Sequence, residues 1–294
     1  MSKIVWRSGW TRAATAWLLA LAGLAGCAPP RAAGPVDGAF TAADAAGGIP
    51  AVSETAPPVP PTPKASAPGS SPSPLATAAT LPPATPTAAE GDPFVIGRSV
   101  GGRPLEVYRF GDGPRQLLIV AGIHGGYEWN TIALADELIE RLRGEPDMIP
   151  EDVTLYLLRA MNPDGEARSH GYAGRANDDG VDLNRNWPVN WHLDWDRTYC
   201  WHYLPITAGD HPLSEPETQA VMAFILDHDL AGLISYHSAA LGIFPGGSPP
   251  DTASQRLAEA LAEVSGYRYP PRDYGCEYTG QFADWAISQG IPAV

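Results

Sequence analysis

The sequence predicts an α/β fold, a central sheet with helices packed on both faces. Two observations carry the prediction. Short apolar runs at residues 117–121, 153–158 and 231–236 alternate with longer segments of helical period. Two of these runs lead into a histidine, His124 and His237, just past the strand end, where open α/β sheets gather their sites.

In chain order, residues 95–110 form a hairpin, with alternating runs on either side of Gly101-Gly102. Gly111-Asp112-Gly113-Pro114 turns the chain into the first buried strand. That strand stops at Gly122, presents His124 and, four residues on, Glu128. Residues 128–143 are helical: Ile132, Ala135, Ile139 and Leu142 share a face, and Arg141 and Arg143 fill the last turn before Gly144. The strand at 153–158 closes on the turn Asn162-Pro163-Asp164-Gly165. A glycine-rich loop follows, with Arg175 and then Gly180-Val181-Asp182-Leu183-Asn184-Arg185-Asn186-Trp187-Pro188. Ser214-Glu215-Pro216-Glu217 has the pattern of a capping box, opening a helix with Val221, Phe224, Ile225 and His228 on one side. After the strand that leads to His237-Ser238, helices are expected at 252–264 and 282–288. Residues 290–294 begin one more strand.

The chain has 294 residues and a net charge of −14, which disfavours nucleic acid or an anionic membrane surface as a partner of the folded part. The amino end has the layout of an export signal: Lys3, Arg7 and Arg12, then an apolar stretch, then Leu24-Ala25-Gly26-Cys27. That last run resembles the bacterial lipoprotein signal. It makes residues 1–27 a signal peptide, Cys27 the lipid attachment point, and the protein extracytoplasmic and held in the membrane by acyl chains. Residues 28–90, rich in Pro, Ala, Ser and Thr, form a disordered tether, long enough at ~3.1 Å per residue to span well over 100 Å. In that compartment Cys200 and Cys276 either pair or stay as two buried thiols. The folded domain is expected at 91–294.

His124 and Glu128, the Asn162–Gly165 turn, the run 180–187, Ser214-Glu215-Pro216-Glu217-Thr218, Ser235-Tyr236-His237-Ser238 and Asp284-Trp285 with Gln289-Gly290-Ile291 together resemble the zinc carboxypeptidase family, the carboxypeptidase A/B-like metallopeptidases. The resemblance implies a single domain with a mixed central sheet, cut short at the C-terminus. It implies one zinc ion held by His124, Glu128 and His237. Three protein ligands leave a fourth position for water, the open arrangement of a catalytic zinc. Asn184 and Arg185 match the positions that hold a peptide's terminal carboxylate, which a planar guanidinium fork meets with two bonds. Arg175 stands where the family steadies the oxyanion, and Tyr278 or Tyr274 where a tyrosine covers the substrate, with the context of Tyr278 favouring it. Asp182 and Asn186 are expected to shape the loop, and His170, His192, His202, His211 and His228 to be loop or surface histidines.

Two departures qualify the match. The family spaces its first two ligands as His-x-x-Glu, whereas three residues separate His124 from Glu128. Gly125-Gly126 is the place to absorb the extra one. The family's general-base glutamate is expected a few residues beyond Val294, and Glu277 lies on the wrong side of Asp284-Trp285 to replace it. The expected activity is zinc-dependent removal of the C-terminal residue from extracytoplasmic peptides, protein-derived or from the cell wall. A non-catalytic module holding peptide carboxylates, and a zinc-dependent deacylase of N-acyl amino acids, would use the same Asn184–Arg185 pair. The sequence is silent on oligomeric state.

Overall fold

A computed structural model of the chain describes residues 89–195, 206–238, 242–272 and 278–294. The signal segment with Cys27, nearly all of the proline-rich stretch, and Cys200, His202, Tyr274 and Cys276 lie outside the described residues.

Five strands, β1 (Pro93–Arg98), β2 (Pro104–Phe110), β3 (Arg115–Val120), β4 (Val153–Leu158) and β5 (Leu230–Ser235), form one sheet in the order β1-β2-β4-β3-β5. The hairpin β1–β2 and the pair β2–β4 are antiparallel. Strand β3 runs parallel to both its neighbours, β4 and β5. The sheet is therefore mixed, as the family resemblance implied. The helices are α1 (Trp129–Gly144), α2 (Pro163–Arg168), α3 (Pro216–Leu226), α4 (Thr252–Ser265) and α5 (Phe282–Ser288).

Strand alternation distributes the core between two faces. Leu118 and Val120 pack with Val221, Phe224 and Ile225 of α3 and with Phe282 and Trp285 of α5. Leu117 and Ile119 face the other way, onto Ala135, Leu138, Ile139 and Leu142 of α1 and Leu261 of α4. Each Leu or Ile so buried contributes roughly 1.5–3 kcal/mol. Gly97 lets α3 close on β1, because a Cβ there would meet the Ala220 methyl at 2.4 Å. At the far edge, residues 291–294 lie parallel beside β5: Leu233 N donates to Pro292 O (2.9 Å) and Ser235 N to Val294 O (2.8 Å). Where the sequence predicted the entry to one more strand, the described residues form an isolated parallel bridge, Leu233 with Ala293.

Three local expectations are corrected. The Asn162–Gly165 segment is a helix start rather than a free turn. Asn162 Oδ1 accepts the amide of Gly165 (2.8 Å), and Pro163 opens α2 with its ring-fixed torsion. The capping box at 214–217 does not form. Pro216 takes the first helical position, so the cap falls on Glu215, which makes no side-chain bond to its own helix. Glu217 turns inward instead of reaching back, and accepts the amide of Val100 (3.1 Å). His228 also falls outside the helix assigned to it, since α3 ends at Leu226, although its ring still packs on Phe224 and Tyr156.

Glu217 is fully buried, and burial pushes its carboxyl from an ordinary 4.5 up to about 7, against the hydrogen bonds from Val100 and Asn177. A raised carboxyl favours the folded state while the acid is neutral. That contribution is complete below about pH 4.5 and is lost as pH rises through about 7, because the unfolded chain releases its proton first. The loss across this window is roughly 3 kcal/mol. Glu217→Gln keeps the shape and removes the titration. Thermal melts at pH 5 and pH 8 should show the variant losing less stability than the wild type between the two; equal losses would refute the assignment.

Candidate metal centre

The site lies past the carboxyl ends of the three parallel strands. The chain leaves β3 and passes through a 3₁₀ turn, Gly125–Glu128, before entering α1. Gly125 has φ +47°, and a Cβ there would lie 2.7 Å from the carbonyl oxygen of Gly174. At Gly126 a Cβ would lie 2.1 Å from the carbonyl oxygen of Ser169. Backbone from the 162–174 segment thus fills the space where side chains would stand, and the extra residue between His124 and Glu128 is accommodated here. Thr131 Oγ1 donates to Glu128 O (2.8 Å) and accepts the amide of Gly122 (3.1 Å), which ties the turn to the strand end.

The Glu128 carboxylate sits between two imidazoles. Oε1 is 2.8 Å from His124 Nδ1, and Oε2 is 3.2 Å from His237 Nδ1. The two rings are 4.9 Å apart and tilted by 51°. Each of the three side chains offers a ligand atom within 4.8 Å of the other two. Residues 113 positions apart in the chain meet because β3 and β5 are neighbours in register, Val120 opposite Ser235. Two imidazoles and one carboxylate are a zinc-compatible donor set, with room in a tetrahedral shell for one more ligand. Burial works against a charge on Glu128, but His124 and His237 outweigh it and hold the carboxyl well below the usual range.

Behind His124 stands Asp182, with Oδ1 3.3 Å from Nε2. Its Oδ2 accepts from Nε and Nη2 of Arg175, both at 2.9 Å. Asp182 does shape the loop, since Oδ1 also accepts the amide of Asn184 (2.9 Å). It does more than that expectation held, because it orients both His124 and Arg175. Burial opposes its charge, and Arg175 and His124 together keep it well below the ordinary carboxylate range. The sequence signal was an Asp two residues ahead of Asn184, in position to cap a turn. Its reach to His124 depends on tertiary structure. Arg175 extends toward the cluster, with Nη1 4.0 Å from Glu128 Oε1 and the guanidinium 5.6 Å from the centre of the Tyr127 ring.

Asn184 and Arg185 follow Asp182 in a short 3₁₀ turn, Leu183–Arg185. Asn184 Oδ1 accepts the amide of Phe282 (2.9 Å), which leaves its amino group for another partner. The Arg185 guanidinium is buried over the rings of Trp195 (5.7 Å) and Tyr278 (5.4 Å), and Nη1 donates to Asn184 O (2.8 Å). Its Nε finds no partner among the described residues. Burial lowers the pKa of Arg185, with Asp182 acting in the opposite sense. A buried cation with donors to spare is suited to an incoming anion. Trp195 was not foreseen at this site. Among the other histidines, His170 is exposed and stacks on Trp129, and His192 and His211 are exposed.

A mixed sheet whose parallel strands deliver two imidazoles and a carboxylate to one point defines an α/β protein with a candidate catalytic metal site. Comparison with known proteins makes the assignment specific: the zinc carboxypeptidase model, peptidase M14, matches residues 92–293, and the chain belongs to that family. It is 30% identical to mouse carboxypeptidase A6 over 242 residues, covering 68% of this chain and 53% of that protein. It is also 30% identical to murein peptide amidase A of Escherichia coli K12 over 207 residues, covering 67% and 77%. The crystal structure of murein-tripeptide amidase MpaA from Escherichia coli O157 superposes with a TM-score of 0.51 at 26% identity, covering 68% of this chain and 80% of that one. The chain spans about half the length of the carboxypeptidases it matches.

Proposed function

We propose that this protein is a zinc-dependent metallocarboxypeptidase that takes the C-terminal residue from peptides outside the cytoplasm. The observation that carries the proposal is one loop serving two sites: Asp182 backs His124, and two and three residues later Asn184 and Arg185 offer donors suited to a carboxylate. His124, Glu128 and His237 would hold the zinc. A zinc ion there supplies Lewis acidity to the scissile carbonyl and to the attacking water. Asn184 and Arg185 bind the terminal carboxylate and so set which peptide bond lies at the metal. Arg175 presents its guanidinium to the oxyanion side, where one well-placed donor is typically worth ~2.7–4 kcal/mol. Tyr278 lies over Arg185 and would close on the bound residue.

The substrate is a peptide with a free carboxyl terminus. The likeness to a murein peptide amidase over 77% of that protein's length favours wall peptides over protein-derived ones. A lipid anchor at Cys27 with the proline-rich tether behind it would hold the domain at the membrane within reach of the wall. The test is metal analysis of the purified protein, together with release of the last residue from short peptides offered as free acids and as C-terminal amides. One zinc per chain and cleavage of the acids alone are expected. Zinc without cleavage would favour the non-catalytic binder, and cleavage of acids and amides alike would end the carboxypeptidase reading.

A further inference from the structure

The family match leaves residues 214–218 without a task, and the capping box expected of them is not made. Their side chains go elsewhere. Glu215 Oε2 accepts from Asn177 Nδ2 at 2.6 Å. Thr218 Oγ1 lies 2.7 Å from Asn186 Oδ1 and 2.9 Å from Glu215 O, two acceptors for its one hydrogen, and the backbone amide of Glu215 donates to Asn186 Oδ1 at 3.3 Å. Ser214 Oγ accepts from Asn186 Nδ2 at 2.9 Å, and donates to Glu215 Oε1 at 2.5 Å. Asn177, Asn186, Glu215 and Thr218 are all buried.

Asn177 and Asn186 are the two ends of the loop that carries Asp182, Asn184 and Arg185. Asn177 Oδ1 accepts the amides of Asp179 (3.2 Å) and Val181 (3.0 Å), so it organises the loop's first turn. Asn186 follows Arg185 directly, and its Nδ2 also donates to Ala208 O (2.8 Å) and His211 O (3.2 Å). A glutamate at a helix cap that makes no bond to its own helix has given up a stabilising contact, and here that side chain holds Asn177 instead.

We propose that residues 214–218 form a clasp that grips this loop at both ends, and that Glu215 and Thr218 are positioning residues for carboxylate recognition by Asn184 and Arg185. The inference rests on the carboxylate role proposed for that pair. The two grips act on different groups. Thr218 holds the end beside Arg185 and stands away from the metal cluster. Glu215 holds the end that leads into Asp182, and through it His124. Loosening Thr218 should therefore weaken binding of a peptide acid and leave zinc affinity unchanged. Loosening Glu215 should weaken both.

The test uses the zinc-loaded full chain, titrated calorimetrically with a non-hydrolysable N-acylated dipeptide analogue and with its C-terminal amide. If the wild type does not prefer the acid, the carboxylate role of Asn184 and Arg185 fails, and this inference with it. If it does, Thr218→Val should bind the acid about tenfold more weakly, with amide binding and zinc affinity unchanged. Thr218→Ser, which restores the hydroxyl, should recover the affinity. Amide hydrogen exchange across Leu183–Arg185 should rise in Thr218→Val and return in Thr218→Ser. A folded Thr218→Val variant that binds the acid like the wild type overturns the proposal. If that variant does not fold, Glu215→Ala, which removes the acceptor for Asn177, decides: weaker acid binding together with weaker zinc binding supports the clasp, and wild-type behaviour overturns it. Failure of both variants to fold would make the motif a general support of the fold, which also overturns the proposal.

Discussion

Replacing His124, Glu128 or His237 with alanine is expected to remove zinc from the protein and peptidase activity with it. Each contributes one donor to a three-donor set, and two remaining donors do not make a closed or catalytic zinc site. The loss should exceed the ~10–100-fold typical of removing an outer hydrogen-bond partner. Asp182 supplies that internal standard. It contacts His124 through Nε2, the nitrogen facing away from Glu128. Asp182→Asn removes the charge that orients the imidazole, keeps the side chain's size, and should cost zinc affinity within that ~10–100-fold range. Competition against a chromophoric chelator measures all four variants on one scale. The expected order is wild type, then Asp182→Asn, then the three alanine variants. Full zinc retention in His124→Ala would show that the side chains meet without forming a metal site.

The sequence made the elements and their order legible because their signals are local. The strand at Val153–Leu158 and the helix at Phe282–Ser288 fall at the expected residues: a largely apolar run between Asp152 and Arg159 sets the first, and Gly280 and Gly290 bracket the second. Of the expected site residues, His124, Glu128 and His237 meet at one point with Arg175 4.0 Å from Glu128, and Arg185 and Tyr278 meet in a second contact. What the sequence did not disclose lies in contacts between distant segments. Ser-x-x-Glu is a capping signal only when its glutamate has no better partner, and Glu217 has one in Val100, 117 residues earlier. Asp182 looked like a turn former because its bond to Asn184 is local, whereas its bond to Arg175 and its 3.3 Å contact with His124 depend on the fold. Trp195 enters the site through the return path of a loop that has no periodic pattern to follow.

Arg185→Lys should abolish the distinction between a peptide acid and its amide while leaving zinc bound. Exposed ion pairs contribute ~0–1 kcal/mol, and on that basis exchanging one cation for another would hardly register. Arg185 is not exposed: it lies under Trp195 and Tyr278, and among the described residues no carboxylate pairs with it. A carboxylate arriving there would meet a desolvated, planar pair of donors, where a charge-assisted hydrogen bond is worth ~1.5–3 kcal/mol. Lysine offers a point charge on a flexible stem, cannot present the fork, and loses its proton readily when buried without a partner. The expected loss is therefore ~10–100-fold in affinity for the acid, with affinity for the amide unchanged. Because Arg185 makes no contact with His124, Glu128 or His237, zinc content should stay at the wild-type level, which separates this variant from the ligand variants. Isothermal titration with a non-hydrolysable peptide acid and its amide reads both affinities directly. Retained discrimination in Arg185→Lys would mean that the carboxylate is recognised elsewhere, and Asn184 alone would not account for it, since one neutral amide supplies too little to compensate for dehydrating a carboxylate.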